Sequence, residues 1–226
     1  MKEPGRIRSF VMRAGRMTDG QQRGWDAGWS RLGLQMTTGP LDWDATFGGQ
    51  GKRVVEIGFG MGDSLIAMAQ AAPETQFIGI EVHKPGVGRL FAQMEALSLD
   101  NIRVYADDAV VVLRDCVADD SLDTLQVFFP DPWHKKRHHK RRLIQPDFIA
   151  MAIAKLRPGG TIHLATDWQP YADHMLDVME AATGVMNTAG SGAFADRPSW
   201  RPETKFERRG AKRGHGVWDL LYRRSN

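Results

Sequence analysis

Glu56-Ile57-Gly58-Phe59-Gly60-Met61-Gly62 sets a carboxylate and three alternate glycines between a β-rich apolar run and a helical pattern. At a strand-to-helix turn, glycines let the backbone approach a ligand closely, and the first helix amides then face it. A dinucleotide site would want its last glycine one place later, but Asp63 stands there, and Glu56 with Asp63 would repel a pyrophosphate. A sulfonium amino-acid nucleoside meets no such repulsion, and the carboxylate of Glu56 suits its ammonium group. Nineteen residues beyond Gly62, Glu81 ends the next apolar run, where an acid can accept both hydroxyl protons of a ribose. Asp108 falls at the same sheet edge, placed to receive an adenine amino group, although Asp107 or Asp108 equally suits the cap of the helix that follows.

A second cluster begins at Phe128-Phe129-Pro130-Asp131-Pro132-Trp133. Two prolines bracketing Asp131 fix the local backbone and hold that carboxylate at a strand end rather than inside a helix. Trp133 suits either a platform for an unstacked base or a hydrophobic lid. Directly after it, Lys135 to Arg142 holds six Lys or Arg in eight residues, while the whole chain has a net charge of only +3, so the remainder is net negative at −3. A charge run is commonly just a solvated face; this one lies beside a ligand crevice, which points to a polyanionic partner held at one side of the molecule. The intervening histidines do not suggest a metal, because the neighbouring cations would repel one and no carboxylate cluster completes a site.

The elements that must position these residues follow from periodicity. Apolar β-rich runs at Arg53 to Ile57, Gln76 to Glu81, Ile102 to Tyr105, Thr124 to Phe129 and Thr161 to Thr166 alternate with helical patterns. The helices are expected at Ser64 to Ala72, Gly86 to Leu97, Ala109 to Val117, Asp147 to Leu156 and Tyr171 to Ala182. That alternation predicts an α/β, Rossmann-like domain, mostly a parallel sheet with helices on both faces, over residues 51–226. Pro158-Gly159-Gly160 is read as the stop of the fourth helix and the turn into the next strand, and Val217 to Tyr222 as a closing strand. Residues 1–50, rich in Gly, Arg and Gln, are expected to form a mobile basic arm and a short docking segment. A length of 226 residues fits one such domain. No apolar run suits a membrane span, and the basic N-terminus lacks the apolar core of a secretory signal, so a cytoplasmic protein is expected. Cys116, the sole cysteine, excludes an intramolecular disulfide and reads as a small core residue.

Taken together, these residues resemble the bacterial tRNA (guanine-N7-)-methyltransferases over nearly the whole chain. The resemblance rests on Ser9-Phe10-Val11 with Gly15-Arg16-Met17-Thr18, Glu56 to Gly62, Gly79-Ile80-Glu81-Val82-His83, Phe129 to Arg142, Thr166-Asp167-Trp168, and Thr204-Lys205-Phe206-Glu207 with Gly214-His215. The Pro-Asp-Pro-Trp segment followed by basic residues is its most specific part. The resemblance implies that Glu56, Gly58, Gly60, Glu81, Asp108 and Asp131 surround S-adenosylmethionine, with Asp131 also catalytic. It implies substrate contacts at Lys135, Asp167, Thr204, Lys205, Phe206 and Glu207, and RNA contacts at Arg137, His138, His139, Lys140, Arg141 and Arg142. The expected target is guanosine 46 of the tRNA variable loop, with no membrane and no metal, and a monomer or homodimer as the working form. The competing readings are a methyltransferase for another substrate, an RNA-binding module without activity and, remotely, an NAD-dependent oxidoreductase.

Overall fold

The computed structural model describes residues 8–10, 15–36, 39–204, 207 and 216–225. Lys205, Phe206, Gly214 and His215, and the parts of the expected arm at 1–7 and 11–14, lie outside the described residues.

Chain order begins with α1 (Asp19–Leu32), β1 (Gly33–Leu34), α2 (Trp43–Phe47), β2 (Lys52–Ile57), α3 (Asp63–Ala71), β3 (Thr75–Ile80), α4 (Lys84–Ala96), β4 (Ile102–Tyr105) and α5 (Ala109–Cys116). It continues through β5 (Leu122–Phe128), a 3-10 helix (Lys136–Arg141), α6 (Pro146–Lys155), β6 (Leu156–Thr166), α7 (Gln169–Glu180), β7 (Val185–Asn187) and β8 (Trp218–Arg224). The strands form one sheet in the order β1-β4-β3-β2-β5-β6-β8-β7. Strands β1 to β6 run parallel, and β8 is antiparallel to both β6 and β7. Alternation along the strands feeds two cores: Val55, Ile57, Leu125, Val127, Ile162 and Leu164 on one face, Val54, Phe77, Ile102, Val104 and Phe128 on the other. The chain leaves β2 toward one edge and β5 toward the other, so a crevice opens between their carboxyl ends, where open α/β sheets bind ligands.

Helices α4, α6 and α7 each begin earlier than the apolar pattern predicts, because Pro85, Pro146 and Pro170 sit in their first turns, where a missing N–H costs nothing. Pro158-Gly159-Gly160 does not separate helix from strand as expected: β6 already pairs at Leu156 with Leu122 and again at Thr161 with Thr124, so the extra residues bulge out of a continuous strand. Gly159, at φ +76°, makes that excursion possible.

Helix α1 was not legible as a helix. Thr18 and Gln21 close its N-terminus as a reciprocal capping box. Its glycines form a contact face: a Cβ on Gly24 would lie 2.1 Å from the Gly88 carbonyl oxygen, and one on Gly88 2.1 Å from that of Gln21. α1 and α4 therefore touch backbone to backbone, and β1 follows by adding to the β4 edge.

Candidate active site

A cavity of about 450 Å³ opens at the carboxyl ends of the central strands. Ile57 at the end of β2 and Gly58 beyond it, Glu81 to His83 after β3, Asp107 and Ala109 after β4, and Val127 to Asp131 at and beyond the end of β5 line it, and Ser9 and Phe10 close one side. Gly58 and Gly60 adopt φ +76° and +59°, and a Cβ on either would meet nothing within 4 Å, which leaves their outer side open for a ligand. The Glu81 carboxylate holds this turn in shape, accepting from Gly60 N at 2.9 Å through Oε2 and from His83 N at 2.9 Å through Oε1. The Val82 amide also donates to this carboxylate, whose remaining acceptor capacity is left for a hydroxyl donor. Burial raises the Glu81 pKa, and the His83 and Gly60 amides act against that rise.

Glu56 is 2% exposed on β2, and its Oε2 has no hydrogen-bond partner. Burial, then the charge of Glu81, pushes its carboxyl up to about 8. Gln126 stands opposite in the β2–β5 register, and its Oε1 also lacks a partner. Unsatisfied buried oxygens are costly, and a ligand ammonium would donate to them; these acceptors thus fit an amino-acid nucleoside. Asp63 turns aside to Arg89 at 2.6 Å. Of the two acids left open at the adenine end, Asp108 caps α5, accepting from Val110 N at 3.1 Å, while exposed Asp107 lines the cavity.

Beyond β5 the backbone is strained on both sides of Asp131, with Phe129 at φ +52° and Trp133 at φ +48°. Asp131 is exposed, lines the cavity and accepts from Trp133 N at 3.3 Å. The Trp133 indole donates to the Ser9 carbonyl at 3.0 Å and carries the Arg141 guanidinium over its ring at 4.6 Å, so its ring is already engaged within the protein.

The basic run becomes the 3-10 helix and its two flanking residues. Lys135, Lys136, Arg137 and Lys140 are exposed; His138, His139 and Arg141 are half-buried. Arg142 departs from the expectation of an RNA-facing cation: it is 4% exposed, donates to the Pro132 carbonyl at 3.0 Å and packs 4.7 Å over the Tyr171 ring. The physical reason is the turn after the 3-10 helix, which aims Arg142 back beneath the Pro-Asp-Pro-Trp segment. Asp167, half-buried after β6, lies near β5's exit, where Trp168 meets His134 edge-on at 4.5 Å.

Thr204 and Glu207 are joined by reciprocal hydrogen bonds: Thr204 N donates to Glu207 Oε2 at 2.6 Å and Glu207 N to Thr204 Oγ1 at 3.2 Å. Glu207 is 6% exposed because Arg201 takes both its oxygens, at 2.8 and 2.7 Å. The sequence reading missed Arg201, His163 and Asp219, all buried beside this segment. The available signal was a polar residue inside an apolar strand, Ile162-His163-Leu164 and Trp218-Asp219-Leu220. Among the described residues, no group of three or more His, Cys, Asp or Glu is gathered as a metal ion requires, and no helix is long and apolar enough to cross a membrane.

Residues 50–220 match the family described as "Putative methyltransferase". A Pseudomonas paraeruginosa protein named tRNA (guanine-N(7)-)-methyltransferase is 61% identical over 218 residues, covering 96% of this chain and 89% of that one. The Alcanivorax borkumensis protein of the same name is 57% identical over 217 residues, covering 96% and 91%. Among solved structures, the 16S rRNA methyltransferase KamB aligns with TM-score 0.60 at 16% identity over 85% of this chain and 100% of its own. A Streptococcus mutans protein in complex with SAH aligns with TM-score 0.50 at 10% identity, over 77% and 89%. The two structures speak for the fold, and the near-full-length identities for the family: the chain belongs to the tRNA (guanine-N7-)-methyltransferases, with S-adenosylmethionine as its cofactor.

Proposed function

We propose that this protein methylates N7 of guanine 46 in the variable loop of tRNA. The observation that carries the reading is the continuity of one short connector: Asp131 stands in the cavity wall, and the exposed cations Lys135, Lys136, Arg137 and Lys140 follow it within nine residues. A site for the methyl donor and a surface for phosphates thus share a single rigid turn.

When bound, S-adenosylmethionine supplies a methyl group carried on a sulfonium leaving group. Glu56 would meet the ammonium of its methionine end, Gly58 and Gly60 would allow close backbone approach, Glu81 would accept from the ribose, and Asp108, next to Asp107, would border the adenine. Guanine N7 has an in-plane lone pair and attacks without losing a proton, so the residues need supply no strong general base. Their main task is alignment, which in well-oriented systems is worth roughly 7 to 11 kcal/mol. As positive charge grows on the purine, the Asp131 carboxylate stabilises it. Lys135, Thr204 and Asp167 border the guanosine; Asp167 is the better placed acceptor for its N1 and N2 hydrogens, since Glu207 is occupied by Arg201. Arg137, His138, His139, Lys140 and Arg141 face the RNA and offset the few kcal/mol needed to unstack a base. Arg142 braces the connector from below.

The test is incubation with methyl-labelled cofactor and unmodified tRNA transcripts, followed by nucleoside analysis. Label in 7-methylguanosine, absent when guanine 46 is replaced by adenine, is the expected result; label elsewhere, or none, overturns the proposal.

A further inference from the structure

Arg201 is 1% exposed, yet it carries a full charge. Its guanidinium is held by two carboxylates at once. Nε and Nη2 donate to Asp219 Oδ1 and Oδ2, each at 2.8 Å, while Nη1 and Nη2 donate to Glu207 at 2.8 and 2.7 Å. His163 Nε2 meets the same Asp219 Oδ1 at 2.6 Å, fixing that carboxylate to β6 as well as to its own strand β8. The guanidinium carbon also lies 5.7 Å from the Phe128 ring centre and 5.8 Å from that of Phe129, the residues that end β5 and lead into Asp131.

Stability alone does not call for such a device, because buried ion pairs are often replaceable by apolar residues at no loss. What two forked pairs on one planar cation provide is fixed geometry. One fork grips the sheet through Asp219. The other grips Glu207, whose second oxygen in turn holds the Thr204 amide. The face of the cation rests on the strand end that carries Asp131.

We propose that Arg201 is a positioning residue that locks Thr204 and Glu207 to the sheet and to the exit of β5, setting the separation between Thr204 and Asp131. The inference rests on the reading that Thr204 borders the guanosine, and it assigns Glu207 an anchoring role. Lysine cannot substitute, because a single ammonium cannot fork to both carboxylates.

Arg201→Lys, which keeps the charge, is tested by three measurements: S-adenosylhomocysteine affinity by calorimetry, hydrogen exchange of a peptide spanning 199–207, and steady-state tRNA methylation. Cofactor affinity should stay within about twofold, exchange in that peptide should quicken, and kcat should fall about 10- to 100-fold while KM for tRNA moves less than about threefold, as a misplacement near 1 Å would produce. Parent-like kcat and exchange in the folded variant overturn the proposal, and so does an equal loss of cofactor affinity and turnover, which marks a general structural role. If Arg201→Lys does not fold, the charge-balanced pair Arg201→Met with Glu207→Gln takes the same measurements. Parent-like turnover there, or failure of both variants to fold, overturns it too. Absence of tRNA methylation in the parent would instead strike the proposed function, while exchange and cofactor affinity still test the lock.

Discussion

The Glu56 carboxyl is buried, and neither Glu81 nor Gln126 beside it offers a positive charge. With a folded pKa of about 8 against an ordinary 4.5, the neutral form is favoured in the cofactor-free protein. That preference contributes stability below the ordinary pKa and is lost as pH rises toward 8, by at most about 4 to 5 kcal/mol. A ligand ammonium reverses the preference, so binding of S-adenosylhomocysteine at pH 6.5 should expel close to one proton. Calorimetry in two buffers of different ionisation enthalpy reads this directly, and Glu56→Gln should abolish the difference; equal enthalpies in the parent would remove Glu56 from the ammonium site. Asp131, by contrast, is exposed in the cavity wall. Asp131→Asn keeps the acceptor for Trp133 N, so it should spare cofactor and tRNA affinity yet cut turnover at least tenfold, or about 1.4 kcal/mol. Turnover within twofold would refute the electrostatic role. Glu56, Glu81 and Asp131 were legible because a strand end announces itself in the apolar pattern. Arg201 was not, since its partners Glu207 and Asp219 are six and eighteen residues away and no periodicity joins them.

Among elements, β2 to β5 were readable to within about two residues at each end, because β-branched runs buried on both sides leave little choice of register, whereas β6 begins at Leu156 rather than Thr161 and β1 was not read. Helix α1 escaped because Gly20, Gly24 and Gly28 look like flexibility when they lie in a sequence. In space, two of them are buried in the contact with α4: a Cβ on Gly24 would press on the α4 backbone and one on Gly28 would lie 2.7 Å from the Phe91 side chain. Gly24→Ala should therefore force α1 and α4 apart, costing about 1 to 3 kcal/mol and lowering Tm by roughly 2 to 10 °C. Gly20→Ala, whose Cβ meets only the end of Arg23 at 3.9 Å, should be neutral or slightly stabilising. Equal melting temperatures for the two variants would refute the close crossing. The 3-10 helix was invisible for another reason: a run of cations has no apolar period to betray its conformation.

At the scale of the molecule, positive charge gathers beside the cavity while the remainder of the chain is net negative. If Lys136, Arg137 and Lys140 each meet a phosphate, replacing all three by Ala should make the plot of log tRNA affinity against log salt shallower by roughly two to three units. Arg142→Ala should chiefly lower stability and leave that slope unchanged, because its guanidinium is spent on Pro132 and Tyr171. An unchanged slope in the triple variant would take the 3-10 helix out of the RNA interface. The sheet itself has one further property. β8 is the last strand in chain order, yet it lies inside the sheet, between β6 and β7. During synthesis the cofactor half, β2 to β5, can emerge and pair while β6 still ends in an open edge and β7 has no strand to join. Asp219, which Arg201 requires, also arrives only with β8. The methyl-donor crevice is thus bordered by strands that precede β6 in the chain, whereas the anchor of Thr204 and Glu207 is completed only by β8.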